Sequence, residues 1–131
     1  MAVRVLLIED NSENLEVMTC LLDAFGHTSL VARDGVEGLR AALAEKPDLI
    51  VCDLQMPKMD GFELCKQLKC DPSVKMIPLV AVTAQAMTGD RERVLDAGFD
   101  GYITKPIDPR NFVKQLESYV SGPKGEVVIY G

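Results

Sequence analysis

Three nearly unbroken apolar runs, VRVLLI at 3–8, DLIVC at 48–52 and PLVAV at 78–82, limit what this chain can fold into more than any other feature. Each is too short for a typical helix and too continuous for a strand with one wet face. Each therefore reads as a strand buried on both sides of a parallel sheet. Shorter strand candidates are TSLVA at 28–32 and GYIT at 101–104, and each of the five is followed by a segment of helical spacing. The order is βα repeated five times, an α/β fold.

The helical segments carry their own start and stop signals. The first begins after Asn11 or Ser12, places Leu15, Met18, Leu22 and Phe25 on one stripe, and stops at Gly26. The second begins at Asp34 with Glu37 three residues on, as in a capping box, carries Val36, Leu39 and Leu43 inward, and stops before Pro47. Asp60 caps the third, from about Gly61 to Cys70, with Phe62, Cys65 and Leu68 at helical spacing. The fourth runs from about Thr88 to Ala97. The fifth opens at Asp108-Pro109 and buries Phe112, Leu116 and Tyr119. Gly122, Pro123 and Gly125 are expected to break it before the strand-like EVVIY at 126–130, leaving one domain over 1–121 and a short tail over 122–131.

A chain of 131 residues with 47% hydrophobic content can bury a core without disulfides. No apolar run approaches the roughly 18 residues of a membrane span. No export signal follows Met1, so a soluble protein with a cytoplasmic location and no membrane partner is expected. A net charge of -6 without a long basic run argues against a nucleic-acid surface. Cys20, Cys52, Cys65 and Cys70 form no C-x-x-C pair, and His27 is the only histidine, which argues against zinc. The cysteines read as small, buried or half-buried thiols. His27, next to Gly26, reads as a solvent-facing residue between a helix and a strand.

The chemistry gathers at the strand ends. In a parallel α/β sheet the strand C-termini lie along one edge, and ligands bind in the crevice outside it. Glu9 and Asp10 end the first strand, Asp53 the third and Thr83 the fourth, and Lys105 follows the fifth. Three crowded carboxylates are driven toward protonation unless a cation holds them ionised. Oxygen-only ligands select Mg²⁺ or Mn²⁺, and Mg²⁺ keeps positions for water and phosphate oxygens. Lys105 and Thr83 can then contact phosphoryl oxygens, which leaves Asp53 as the nucleophile.

These residues resemble the receiver domain of two-component response regulators. The similarity runs from residue 3 to about 121. It rests on Glu9-Asp10, on Asp53-Leu54-Gln55-Met56-Pro57 followed by Met59-Asp60-Gly61, on Thr83-Ala84 and on Lys105-Pro106, in that order and spacing. The resemblance implies a flavodoxin-like (βα)5 doubly wound fold, a five-stranded parallel sheet in the order 2-1-3-4-5. It implies that Asp53 accepts a phosphoryl group from a kinase phosphohistidine, and that Asp10, Asp53 and the Gln55 backbone carbonyl bind Mg²⁺, with Glu9 acting through metal-bound water. It further implies that Lys105 pairs with Asp53, that Thr83 moves toward the phosphoryl group, that Tyr102 is the aromatic switch, and that the Lys105-Pro106 bond is cis. Glu9 departs from the aspartate that many members have there. The implied partners are a histidine kinase or histidine phosphotransfer protein upstream, and a protein target meeting helix 4, strand 5 and helix 5 downstream.

On this reading the chain is a phosphoacceptor switch that catalyses its own phosphorylation and dephosphorylation and turns over no separate substrate. An aspartate-nucleophile phosphohydrolase would carry a second aspartate two residues after Asp53, where Gln55 stands. A flavin-binding module would place a Ser/Thr/Gly-rich phosphate loop after the first strand, where this chain has EDNSEN. Met56, Met59 and Met87 read as either core gap-fillers or an adaptable partner surface.

Overall fold

The computed structural model describes residues 2–54, 56, 58–84 and 90–129, with the backbone alone for 90 and 121–129. The elements are β1 (Arg4–Ile8), α1 (Ser12–Ala24), β2 (Thr28–Ala32), α2 (Gly35–Glu45), β3 (Leu49–Asp53), α3 (Gly61–Cys70), β4 (Leu79–Thr83), α4 (Asp90–Asp96), β5 (Gly101–Thr104) and α5 (Phe112–Ile129). The five strands are all parallel, in the order β2-β1-β3-β4-β5. Each of the three central apolar runs is a strand within one residue of its expected bounds.

The continuity of those runs has a plain cause. Alternate residues of one strand point to opposite faces, and both faces are covered. Leu6, Ile8, Ile50, Cys52, Leu79 and Ala81 join Ala42 of α2, Leu64 and Leu68 of α3 and Val94 of α4 on one side. Val5, Leu7, Leu49, Val51, Val80 and Val82 join Leu15, Met18 and Leu22 of α1 and Phe112, Val113 and Leu116 of α5 on the other. At about 1.5–3 kcal/mol for each fully buried large apolar side chain, these two layers are the main favourable term in folding.

The helix starts follow their caps. Asn11 accepts from the Asn14 N–H, Asp34 from Glu37 and Asp60 from Glu63. At the head of α5, the Asp108 carboxylate accepts from the Arg110 N–H, and its carbonyl accepts from Phe112, so the helix opens at Phe112 after a capped turn.

Three expectations are corrected. In α2 Leu39 and Leu43 pack half-buried against the core as expected, but Val36 is exposed, and the fully buried residues are Gly35, Gly38 and Ala42. A methyl group at position 38 would lie 2.7 Å from Ile8 Cδ1, so this helix approaches the sheet through its small residues. Phe25 does not continue the stripe of α1: it is the C-cap residue, 58% exposed, where the chain is already turning into Gly26. The third correction concerns the tail. The backbone from 121 to 129 remains in α5, with neither the break at Gly122 and Pro123 nor a strand at 126–129. A helix satisfies its backbone groups within the segment, whereas a strand would need one of the sheet edges, β2 or β5, as partner. Among the described residues, no helix is long and apolar enough to cross a membrane.

His27 is also not where its neighbours in sequence suggest. It is 4% exposed. The Val3 N–H donates to its Nδ1 at 3.1 Å, so Nε2 carries the proton and donates to Glu117 at 2.7 Å. The ring thereby ties the start of β1 to α5. Replacing His27 with alanine leaves the Val3 N–H buried without its acceptor and opens a cavity, and is expected to cost about 2–4 kcal/mol in urea denaturation. A loss below about 0.5 kcal/mol, the range of ordinary surface substitutions, would reject this role.

Candidate phosphoryl-transfer site

Because the strands are parallel and in register, the residues at their C-terminal ends come together. Ile8 stands beside Cys52, and Asp53 beside Val82. Glu9 therefore follows β1 at the level where Asp53 ends β3, and Thr83 ends β4 one residue further on. Lys105 arrives from the neighbouring strand. Its N–H donates to the Thr83 carbonyl at 2.8 Å, and its peptide bond to Pro106 is cis, as the resemblance implied.

The structure brings five of the seven expected residues into one crevice. Lys105 Nζ lies 3.1 Å from Asp53 Oδ2 and 3.1 Å from Glu9 Oε1. Carboxylate oxygens of Glu9, Asp10 and Asp53 lie within 4.8 Å of one another. Glu9, Asp53 and Thr83 are buried, and Asp10 is exposed at the mouth. Tyr102 is half-buried and packs on the α2–α4 side of the core, in register with Ala81 one position before Val82. Gln55 lies outside the described residues, as do Pro57 and Met87. Met56 and Met59 pack against the core as gap-fillers.

Burial pushes the Glu9 carboxyl above the ordinary glutamate range, and the neighbouring Asp53 carboxylate adds to it. The Asn11 N–H, at 3.2 Å from Glu9 Oε2, and the Lys105 ammonium act the other way without prevailing. Lys105 shows the complementary imbalance. Its burial favours the neutral amine, but the bonds and charges of Asp53 and Glu9 outweigh it and raise the ammonium above the usual lysine range. One ammonium serves two buried carboxylates, so it gains from both while Glu9 remains under-compensated. Of the four cysteines expected to be buried or half-buried, Cys20 and Cys70 are exposed; burial holds the Cys52 thiol well above the ordinary range and pushes Cys65 up to about 11, which disfavours the thiolate in both.

Sequence reasoning missed the supports of this cluster. Asn14 Nδ2 reaches Glu9 Oε1 at 3.5 Å from the first turn of α1. The Arg33 guanidinium donates to Ser12 Oγ at 2.7 Å and to the Asp10 carbonyl at 3.4 Å, joining the β2–α2 connection to the loop bearing the acidic pair. The EDNSEN segment held the asparagines in view, but their contacts depend on how α1 leaves the sheet.

The donor set fits a hard divalent cation, since it offers only oxygens and carries more negative charge than Lys105 neutralises. The sign of the Glu9 shift has a measurable consequence. A carboxyl raised on folding contributes stability below its unfolded pKa that is lost as pH rises through the folded value. Without metal, ionising Glu9 therefore costs the fold stability. Glu9→Gln is expected to raise the Tm in EDTA at pH 7 while weakening Mg²⁺ binding about 10- to 100-fold, the range for loss of a supporting group at a metal site. Thermal denaturation with and without Mg²⁺ checks both signs, and a variant less stable in EDTA would contradict the charge balance drawn here.

A sequence model of the response regulator receiver domain matches residues 5–117. The chain is 40% identical over 116 residues to the polar-differentiation response regulator DivK of Brucella anthropi, covering 88% of this chain and 94% of that protein. It superposes with a TM-score of 0.85 on the receiver domain of the sensor histidine kinase PA1611 of Pseudomonas aeruginosa, at 29% identity over 93% of this chain and 100% of the other. That structure holds a magnesium ion coordinated in its active-site cleft. The chemotaxis response regulator CheY4 of Vibrio cholerae superposes with the same TM-score of 0.85, at 26% identity over 91% of this chain and 99% of the other.

Proposed function

This chain belongs to the response regulator receiver domain family, a phosphoacceptor signalling switch of two-component systems, and we propose that Asp53 is its phosphoacceptor, with Glu9, Asp10 and the Gln55 carbonyl as partners in binding Mg²⁺. The observation that carries this reading is the Lys105 ammonium at 3.1 Å from both Asp53 and Glu9, beside three carboxylates able to hold a cation. Mn²⁺, with the same preference for oxygen ligands, is the expected substitute.

One carboxylate oxygen of Asp53 attacks the phosphorus of a phosphohistidine on a histidine kinase or histidine phosphotransfer protein. The O–P bond forms as the N–P bond breaks, and the imidazole departs with the electron pair. A bound Mg²⁺ supplies charge neutralisation for the incoming phosphoryl oxygens. Lys105 pairs with the Asp53 carboxylate before transfer and meets a phosphoryl oxygen after it. Thr83, at the end of the adjacent strand, supplies a hydroxyl to a second phosphoryl oxygen. The same groups suit attack by water on the acyl phosphate, so the domain catalyses both its own loading and its own reset.

Output follows from the position of Thr83. Its movement toward the phosphoryl group vacates space for Tyr102, whose half-buried ring packs on the face of the sheet that α4 covers. The surface of α4, β5 and α5 changes accordingly, and a downstream protein target reads it.

Incubation with Mg²⁺ and acetyl phosphate, followed by mass spectrometry, tests the assignment. Phosphate is expected on Asp53 in the wild type and lost in Asp53→Asn and in EDTA. Equal labelling of Asp53→Asn would refute it. Thr83→Ala is expected to retain labelling but to show smaller amide shifts over 90–104 and 112–120 on phosphorylation. Wild-type-sized shifts in that variant would remove Thr83 from the switch.

A further inference from the structure

The connection from Asp53 to α3 is braced by a contact that none of the groups in the crevice makes. Gly35, the first residue of α2, faces Met59: a methyl group at position 35 would overlap the Met59 carbonyl oxygen and lie 2.6 Å from Met59 Cβ and 2.9 Å from its carbonyl carbon. The obstacle is largely backbone, which cannot swing aside as the end of a side chain can. Beside that contact the two segments are joined again. Lys58 Nζ lies 3.5 Å from the Asp34 carboxylate, and Asp34 caps α2 by accepting from the Glu37 N–H at 2.8 Å.

The described residues of this connection have little freedom to absorb a shift. Lys58 has a φ of +70°, a left-handed conformation that persists in a non-glycine residue only when its surroundings impose it. Just beyond, the Gly61 N–H donates to the Leu54 carbonyl at 3.1 Å. A methyl group at position 61 would lie 3.0 Å from the Asp53 carbonyl oxygen and 2.9 Å from Leu54 Cα. The segment that leaves Asp53 thus closes back on Asp53 and Leu54 at one end and rests on α2 at Met59. Glycine is a poor helix former, by about 1 kcal/mol against alanine, so its place in the first turn of α2 calls for a reason such as this one.

We propose that Gly35 is a positioning residue for the phosphoryl-transfer site: by admitting the Met59 backbone against α2, it sets the path of the Asp53–Gly61 connection and with it the site's affinity for Mg²⁺. This inference rests on the assignment of Asp53 and the acidic cluster as the metal and phosphoryl site. A side chain at position 35 pushes residues 58 and 59 away from α2, and the short closed loop transmits that displacement to its start.

Gly35→Ala is compared with Ala42→Gly, which also weakens α2 but lies two turns away, on its buried face. Mg²⁺ titrations by calorimetry, at a temperature where both variants are fully folded, are expected to show a loss of about 10- to 100-fold for Gly35→Ala, the range for displaced supports of a metal site. Less than twofold is expected for Ala42→Gly. In the metal-free proteins, amide exchange at Met59 and Gly61 is expected to accelerate only in Gly35→Ala. An unchanged Mg²⁺ affinity in Gly35→Ala, or an equal loss in Ala42→Gly, overturns the proposal. If Gly35→Ala fails to fold, the wild type decides. Coupling is reciprocal, so the amide resonances of Gly35 and Val36 must move with the same Mg²⁺ midpoint as that of Leu54. Resonances of Gly35 and Val36 that stay fixed at saturation overturn the proposal. A wild type that binds no Mg²⁺ overturns the functional reading and this inference together, whereas normal binding in both wild type and Gly35→Ala overturns the inference alone.

Discussion

A single ammonium, that of Lys105, is held between two buried carboxylates at the end of a sheet packed between two apolar layers. Glu9 and Asp53 contribute oxygens within 4.8 Å of each other, a separation at which two like charges repel by about 3 kcal/mol in an effective dielectric of roughly 20. Lys105 relieves part of that repulsion and only part of the cost of burying Glu9, and Asp10 adds a third negative charge at the mouth. The site is consequently stable with a proton or a cation and uncomfortable without one. That imbalance gives a divalent cation a free-energy advantage on entry.

The rest of the fold exists to hold those ends level. β1, β3 and β4 are each five residues long, each begins and ends within a residue of its neighbour in register, and all are buried on both faces. A slip of one residue between β1 and β3 would move Glu9 away from Asp53 and turn apolar side chains from one packed layer into the other. The register that satisfies the two cores is therefore the register that assembles the cluster, and packing energy is what keeps mutually repelling charges together.

Around this frame the connections act as spacers. α2 lies close to the sheet through Gly38 and Ala42, and its first residue, Gly35, receives the backbone of the β3–α3 connection. Arg33 fastens the start of α1 from the opposite side of the same β2–α2 connection. A short stretch of chain that carries no expected site residue thus borders the loops on both sides of the crevice. At the far end of the sheet, His27 joins β1 to α5 through a fully paired imidazole.

The sequence by itself determined the order of elements, the five strands and the strand-end positions of Glu9, Asp10, Asp53, Thr83 and Lys105. These follow from local information: apolar runs of strand length, caps such as Asp34 and Asp60, and the rule that parallel strand ends share one edge. The 2-1-3-4-5 order came only through family resemblance, because periodicity says nothing about which strands are neighbours. What tertiary structure alone decided is which atoms meet. His27 looked solvent-facing beside Gly26, yet its ring is buried because the turn after α1 lays it between Val3 and Glu117. Val36 looked inward and is exposed, because α2 approaches through glycines too small to register in a hydrophobic pattern. EVVIY looked like a strand, but strand formation requires a free partner edge, and the backbone to residue 129 takes its bonds within α5 instead. Lys105 could be placed at the edge from its position in the chain, but its sharing between Asp53 and Glu9 depends on side-chain reach across three strands, which only the packed sheet fixes.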